Sequence, residues 1–139
     1  MNWASRNEES LGTMDAEEKY QQIFSEFADA LRILAKDADP QCESAGNFNV
    51  AQELQYEVLC GRYVIGKGKL NETEETAIAA LASAVAAVPE SALTFAEGRA
   101  ANVRNMMHPS WKPIRAQAVL LLVLLDSRIE QNKAYFENH

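Results

Sequence analysis

The chain has 139 residues, of which 47% are hydrophobic and 24% charged, and carries a formal net charge of −7. A chain this long buries roughly two thirds of its unfolded surface, so one domain can fold without a metal or a disulfide. The composition excludes a disordered or collagen-like chain, and the acidic balance speaks against non-specific binding of nucleic acid.

Residues 1–12 are polar and aperiodic and read as a loose tail ahead of a single helical domain at 13–139. The first helix is expected to start near Thr13 or Asp15, where Asp15 and Glu18 have capping-box spacing. Tyr20, Phe24, Phe27, Leu31, Leu34 and Ala38 then recur at steps of four and three, the stripe of an amphipathic helix. Pro40 is expected to end it, with a loop over 39–47.

A second helix should run from Asn47 or Asn49 to Gly66 and Gly68. It carries Leu54, Val58 and Ile65 on one side and Tyr56, Leu59, Cys60 and Tyr63 on the other. The third begins at Asn71, with Glu74 completing a capping box, and its alanine-rich body ends at Pro89. A fourth is expected over 94–107, with Thr94 and Glu97 as its capping pair. Ser110 should cap a long final helix, with Pro113 in its first turn. Ile114, Ala118, Leu121, Leu125, Ile129 and Phe136 mark its inward side, and Val119, Leu120 and Val123 cover the other. A helix apolar all round should run through the centre of the core. The expected fold is therefore all-α, an antiparallel bundle of about five helices ending in a long apolar C-terminal helix.

Cys42 and Cys60 form no C-x-x-C pair, and with His108 and His139 they give no zinc-finger spacing, so no metal and no cofactor is expected. Glu53 and Glu57 share a helix face but have no His partner. The first residues lack the apolar segment of a signal peptide. The longest apolar stretch, 118–125, falls well short of the ~20 residues of a membrane span. A cytoplasmic protein without membrane contact is the expectation.

Charge is unevenly spread. Residues 1–75 hold 15 acids and 7 bases, a net of −8, whereas 76–139 hold 5 acids and 6 bases, a net of +1. The acids of the first helix, Glu17, Glu18, Glu26, Asp29 and Asp37, lie mostly off its apolar stripe. An acidic face of this kind is ordinarily just solvated; its sharper reading is a docking face for a basic protein surface. Arg99, Arg104, His108, Lys112 and Arg115 form a local basic stretch around Trp111. It could hold a phosphate or an RNA strand with Trp111 stacking, but pairing with the chain's own acidic helix is the plainer expectation. Met106, Met107 and Trp111 read as core filler, with an adaptable binding patch as the alternative.

Arg104-Asn105-Met106-Met107-His108, at the join of two helices, resembles the Arg…His motif of HEPN ribonuclease domains, and the apolar helix after it is similar to that family's last helix. The resemblance covers about a quarter of the chain, with three residues between Arg and His where the family has at least four. It implies an RNA-cleaving helical dimer with Arg104 and His108 at the dimer cleft. A helix-end Arg and His can instead satisfy free carbonyls as a C-terminal cap.

Two helices thus hold more apolar surface than a bundle this small readily buries. The expected function is a non-catalytic protein-binding module, a small acidic inhibitor or immunity-type protein that docks on another macromolecule. Toxin-immunity proteins and phage-encoded inhibitors of bacterial defence are of that type. Tyr56, Leu59 and Tyr63 are the expected anchors, with Glu17, Glu18, Glu26 and Asp29 beside them. The alternatives are the Arg104/His108 ribonuclease and a homo-oligomeric structural subunit, and a homodimer is compatible with either.

Overall fold

The computed structural model describes residues 15–139. The expected tail at 1–12 and the start of the predicted domain lie outside them. The fold is all-helical. In chain order the described helices are α1 (Ala16–Leu34), α2 (Ala38–Ser44), α3 (Val50–Cys60), α4 (Glu72–Ala86), α5 (Arg99–Met106), α6 (Trp111–Leu124) and α7 (Asp126–Glu137), with 3₁₀ turns at Gly61–Val64 and Glu90–Ala92. Seven helices among the described residues, rather than about five, come from breaks at two predicted continuous segments.

The first break is at the end of α1. Asp15 caps α1 as expected, its side chain accepting the Glu18 N–H at 2.8 Å. The stripe is buried through Leu34. Ala38, however, opens α2, and Pro40 stands in the first turn of α2 rather than ending α1. A proline is tolerated there because the first N–H groups of a helix lack intrahelical partners. The expected loop at 39–47 is therefore helix as far as Ser44.

The second break splits the predicted long last helix. Leu125, at φ −92° and ψ 7°, departs from helical geometry between α6 and α7. Leu125 is fully buried, and the bend keeps Ile129 and Asn132 of α7 buried with it. The Asn132 amide donates to the backbone and side-chain oxygens of Gln21 on α1, at 2.9 and 2.8 Å. Phe136, expected inward, is exposed and meets the edge of Tyr135. α6 does not run through the core centre. It lies across α1 and α4 and buries Trp111, Ile114, Ala118 and Leu121 on one side alone.

α4 matches its predicted start, with both halves of the Asn71–Glu74 capping box present at 2.8 Å. The Thr94–Glu97 box does not form. α5 instead starts after Gly98 at φ +86°, a conformation natural to glycine. The Thr94 hydroxyl donates to Asn105 Oδ1 at 3.0 Å. Nor does Ser110 cap α6: its backbone is already helical and its side chain makes no capping bond.

The core joins Phe24, Phe27, Leu31 and Leu34 of α1 to Leu54 and Val58 of α3, Ile78 and Leu81 of α4, and Trp111 and Ile114 of α6. Gly61 is buried, and a Cβ built there would overlap the Phe27 ring, itself 1% exposed. Gly61→Ala should therefore destabilise the protein by about 2 kcal/mol through overpacking, despite alanine's better helix propensity. A lowered urea midpoint with an unchanged slope is the expected signature.

Candidate functional site

The predicted anchor face on α3 is only partly exposed. Tyr56 is 44% exposed, but Leu59 and Tyr63 are half-buried against the core. Those two correct the expectation of an outward stripe. The helix changes to a 3₁₀ turn at Gly61, which alters the angular step and turns Tyr63 inward. Lys67 Nζ lies 4.1 Å, and Lys19 Nζ 5.0 Å, from the Tyr63 ring centroid, so cations flank the ring.

The predicted acidic anchors disperse. Glu17 pairs with Lys69 at 2.6 Å, and Asp29 with Arg32 at 2.7 Å. Hydrogen bonds from Lys69 and Gln21 hold the Glu17 carboxyl below its ordinary range. Glu18 is exposed, near the cap of α1. Glu26 is buried and accepts from the Gln22 amide at 3.3 Å, so it belongs to the packed side rather than to an acidic docking face. By helix geometry Glu26 lies off the Tyr20–Leu34 stripe, on the side of Ala30, which α1 also buries.

The basic stretch is divided among structural duties. Arg99 forks onto Asp39 at 2.7 and 3.0 Å and reaches Glu43 at 3.4 Å, tying α5 to α2. Its partners lie on α2 rather than on the first helix, and its hydrogen bond holds the Asp39 carboxyl below the usual range. Arg115 donates to the Met106 carbonyl at 3.1 Å, capping the end of α5. Trp111 is fully buried and cannot stack on a nucleic-acid base, and Met106 is likewise sealed in the core. Met107, expected as filler, is 67% exposed.

Arg104 and His108 do line one open groove of about 790 Å³, with Thr94, Val103, Met107 and Arg99. His108 Nδ1 accepts the Ser110 N–H at 3.1 Å and lies 2.8 Å from the Ser110 hydroxyl. A ring nitrogen that accepts needs a free lone pair, so the neutral ring carries its proton on Nε2. His108 thus serves the entry to α6, and Arg115, not Arg104, supplies the cap on α5. Cys42 offers no nucleophile: burial pushes its thiol up to about 11. Among the described residues, no three His, Cys, Asp or Glu side chains are placed to share a metal ion.

Exposed apolar side chains gather on another face. On α6, Val119, Leu120, Val123 and Leu124 face outward, Leu120 at 71% and Val123 at 73% exposure. Beside them, Ala77 and Ala80 of α4 line a shallow hollow of about 180 Å³ with Gln117, Leu120, Leu121 and Leu124. Single exposed leucines are ordinary, but a contiguous ridge over a hollow is the mark of a contact surface. The sequence points to Tyr56, Leu59 and Tyr63 as anchors and does not single out α4. A signal for it was present: residues 76–89 and 116–125 contain no charged side chain.

Comparison of the chain with protein-family models, curated proteins and solved structures returns no match. The ribonuclease resemblance therefore rests on the Arg104–His108 segment itself. No helix among the described residues is long and apolar enough to cross a membrane.

Proposed function

We propose that the chain is a non-catalytic protein-binding module that acts through the α4–α6 face. The observation that supports this is the outward ridge of Leu120 and Val123 above the alanine hollow of α4. Apolar side chains held out of a core that is otherwise filled gain by burial against a second surface, at roughly 25 cal/mol per Å². Binding by surface rather than by pocket suits an inhibitor or immunity-type role, in which occlusion of another macromolecule is the whole activity. A cytoplasmic setting fits that role.

A second reading, an RNA-cleaving dimer, draws on one observation: Arg104 and His108 open onto the same groove. One set of variants separates the two. Under the binding reading, Leu120→Asp with Val123→Asp abolishes the cellular effect and the retention of any bound protein, and His108→Ala changes neither. Loss of the effect in His108→Ala, with RNA cleavage by the wild type, would replace the binding reading with the second. The α6 variant should keep the wild-type helical circular dichroism, since both of its positions are exposed, and the His108→Ala result counts only if its dichroism is also that of the wild type.

A further inference from the structure

Resting on the reading of the α4–α6 face as a docking surface, we infer that its occupant is a second copy of this chain, joined across a twofold axis.

Charge is the first argument. The half of the sequence up to residue 75 carries a net of −8 and the remainder a net of +1. Two copies approaching through their acidic halves repel each other. Over residues 76–89 and 116–125 there is no ionised side chain to repel or to be stripped of water. This is the surface on which an acidic protein can meet itself.

The second argument is specificity. A foreign partner is selected and oriented chiefly by charged and polar groups. The centre of this face has none to offer except the Gln117 amide. A twofold interface has no such need, because each surface patch meets its own copy.

Shape is the third. A self-complementary patch must carry both a projection and a recess. Here Val123 and Leu120 project from α6, and Leu120 also walls the recess that Ala77 and Ala80 leave on adjoining α4. An axis between the helices lays α6 of one copy over α4 of the other, so that each ridge fills the opposite hollow. The uncharged parts of α4 and α6, residues 76–86 and 116–124, form side by side a face about 15 Å long and about 20 Å across. At roughly 300 Å² per copy it is below the standard size of specific interfaces and fits a weak, transient dimer.

Sedimentation velocity on the full chain, from about 1 μM to about 1 mM, tests this. The expected result is a concentration-dependent shift from monomer to dimer that added salt strengthens, because screening reduces repulsion between the acidic halves. Leu120→Asp and Val123→Asp place like charges at the axis and should weaken the dimer by more than about a hundredfold. Ala80→Glu, on the recess side, should do the same independently. A wild type that stays monomeric throughout overturns the dimer. The docking reading survives that outcome if the α6 variants still abolish retention of another protein. A dimer that withstands all three substitutions overturns this assignment, since it would form through another face, and the docking reading is then decided by retention of another protein alone.

Discussion

Asn102→Ala should cost about 3 kcal/mol of stability, more than any single exposed substitution. Asn102 is fully buried. Its Oδ1 accepts the Val50 N–H at 2.8 Å, and its amide donates to the carbonyls of Asn47, Ala96 and Gly98 at 2.8, 3.2 and 2.7 Å. One side chain thus joins the entry of α3 to the entry of α5, more than 40 residues apart. The three carbonyls have other donors: Gly98 N–H reaches Asn47 at 2.9 Å, Asn49 N–H reaches Ala96 at 2.8 Å, and Asn102's own N–H reaches Gly98 at 3.4 Å. Val50 has no such reserve. It opens α3, where no intrahelical acceptor exists for its N–H. An orphaned buried donor costs ~1–3 kcal/mol, and the vacated volume adds a cavity term.

Urea unfolding measures this directly. Asn102→Asp sharpens the test. It keeps an acceptor for Val50 but sets a carboxylate against three carbonyl oxygens. Its pKa should rise in the folded state, so the penalty is greatest at neutral pH and shrinks on acidification. A cost below about 0.5 kcal/mol for Asn102→Ala would mean that the backbone bonds between the two loops suffice without it.

The same residues show how far the sequence could be read. Helical class, the α1 stripe as far as Leu34 and the Asn71–Glu74 cap are local: each depends on side chains three or four positions apart, and each appears as expected. The asparagine clasp is not local. Asn47 and Asn49 take positive φ, and Asn49 Oδ1 accepts the Ala96 N–H at 3.0 Å, from the far side of α3 and α4. Thr94 was therefore drawn into a tertiary contact that the capping pattern could not show. At Leu125 the apolar periodicity runs on unbroken, yet packing of Asn132 against α1 bends the chain. For the candidate surface, composition revealed that two helices held surplus apolar residues. It could not decide between them, because the 3₁₀ turn that draws Tyr63 inward and the placement of α6 across α1 and α4 are properties of assembly.

The second large effect concerns pH. Glu74 is 4% exposed, in the first turn of α4. Burial pushes its carboxyl up. The Arg128 guanidinium, whose Nε lies 3.2 and 3.1 Å from the two oxygens, and the Asn71 N–H at 2.8 Å together outweigh that and leave it below its ordinary value. A folded-state pKa below the unfolded one adds stability that is complete above the unfolded value and disappears as pH falls through the folded value. The wild type should therefore lose this contribution in the acid range below the ordinary glutamate pKa of about 4.3. Glu74→Gln keeps an oxygen for Asn71 N–H and should flatten that part of the profile at a cost of about 1 kcal/mol. Arg128→Ala does the opposite. It leaves the buried carboxylate with the Asn71 bond alone, so burial prevails and the folded pKa moves above the unfolded one. Relative to wild type, its stability should then fall as pH rises from about 4 towards neutrality, reaching a deficit of about 2 kcal/mol. That is less than the loss from a fully buried pair, because Arg128 is itself 30% exposed. Combining the two substitutions should remove the pH-dependent part of that deficit. Parallel profiles for Arg128→Ala and wild type from pH 3 to 7 would show instead that water, not Arg128, keeps Glu74 charged.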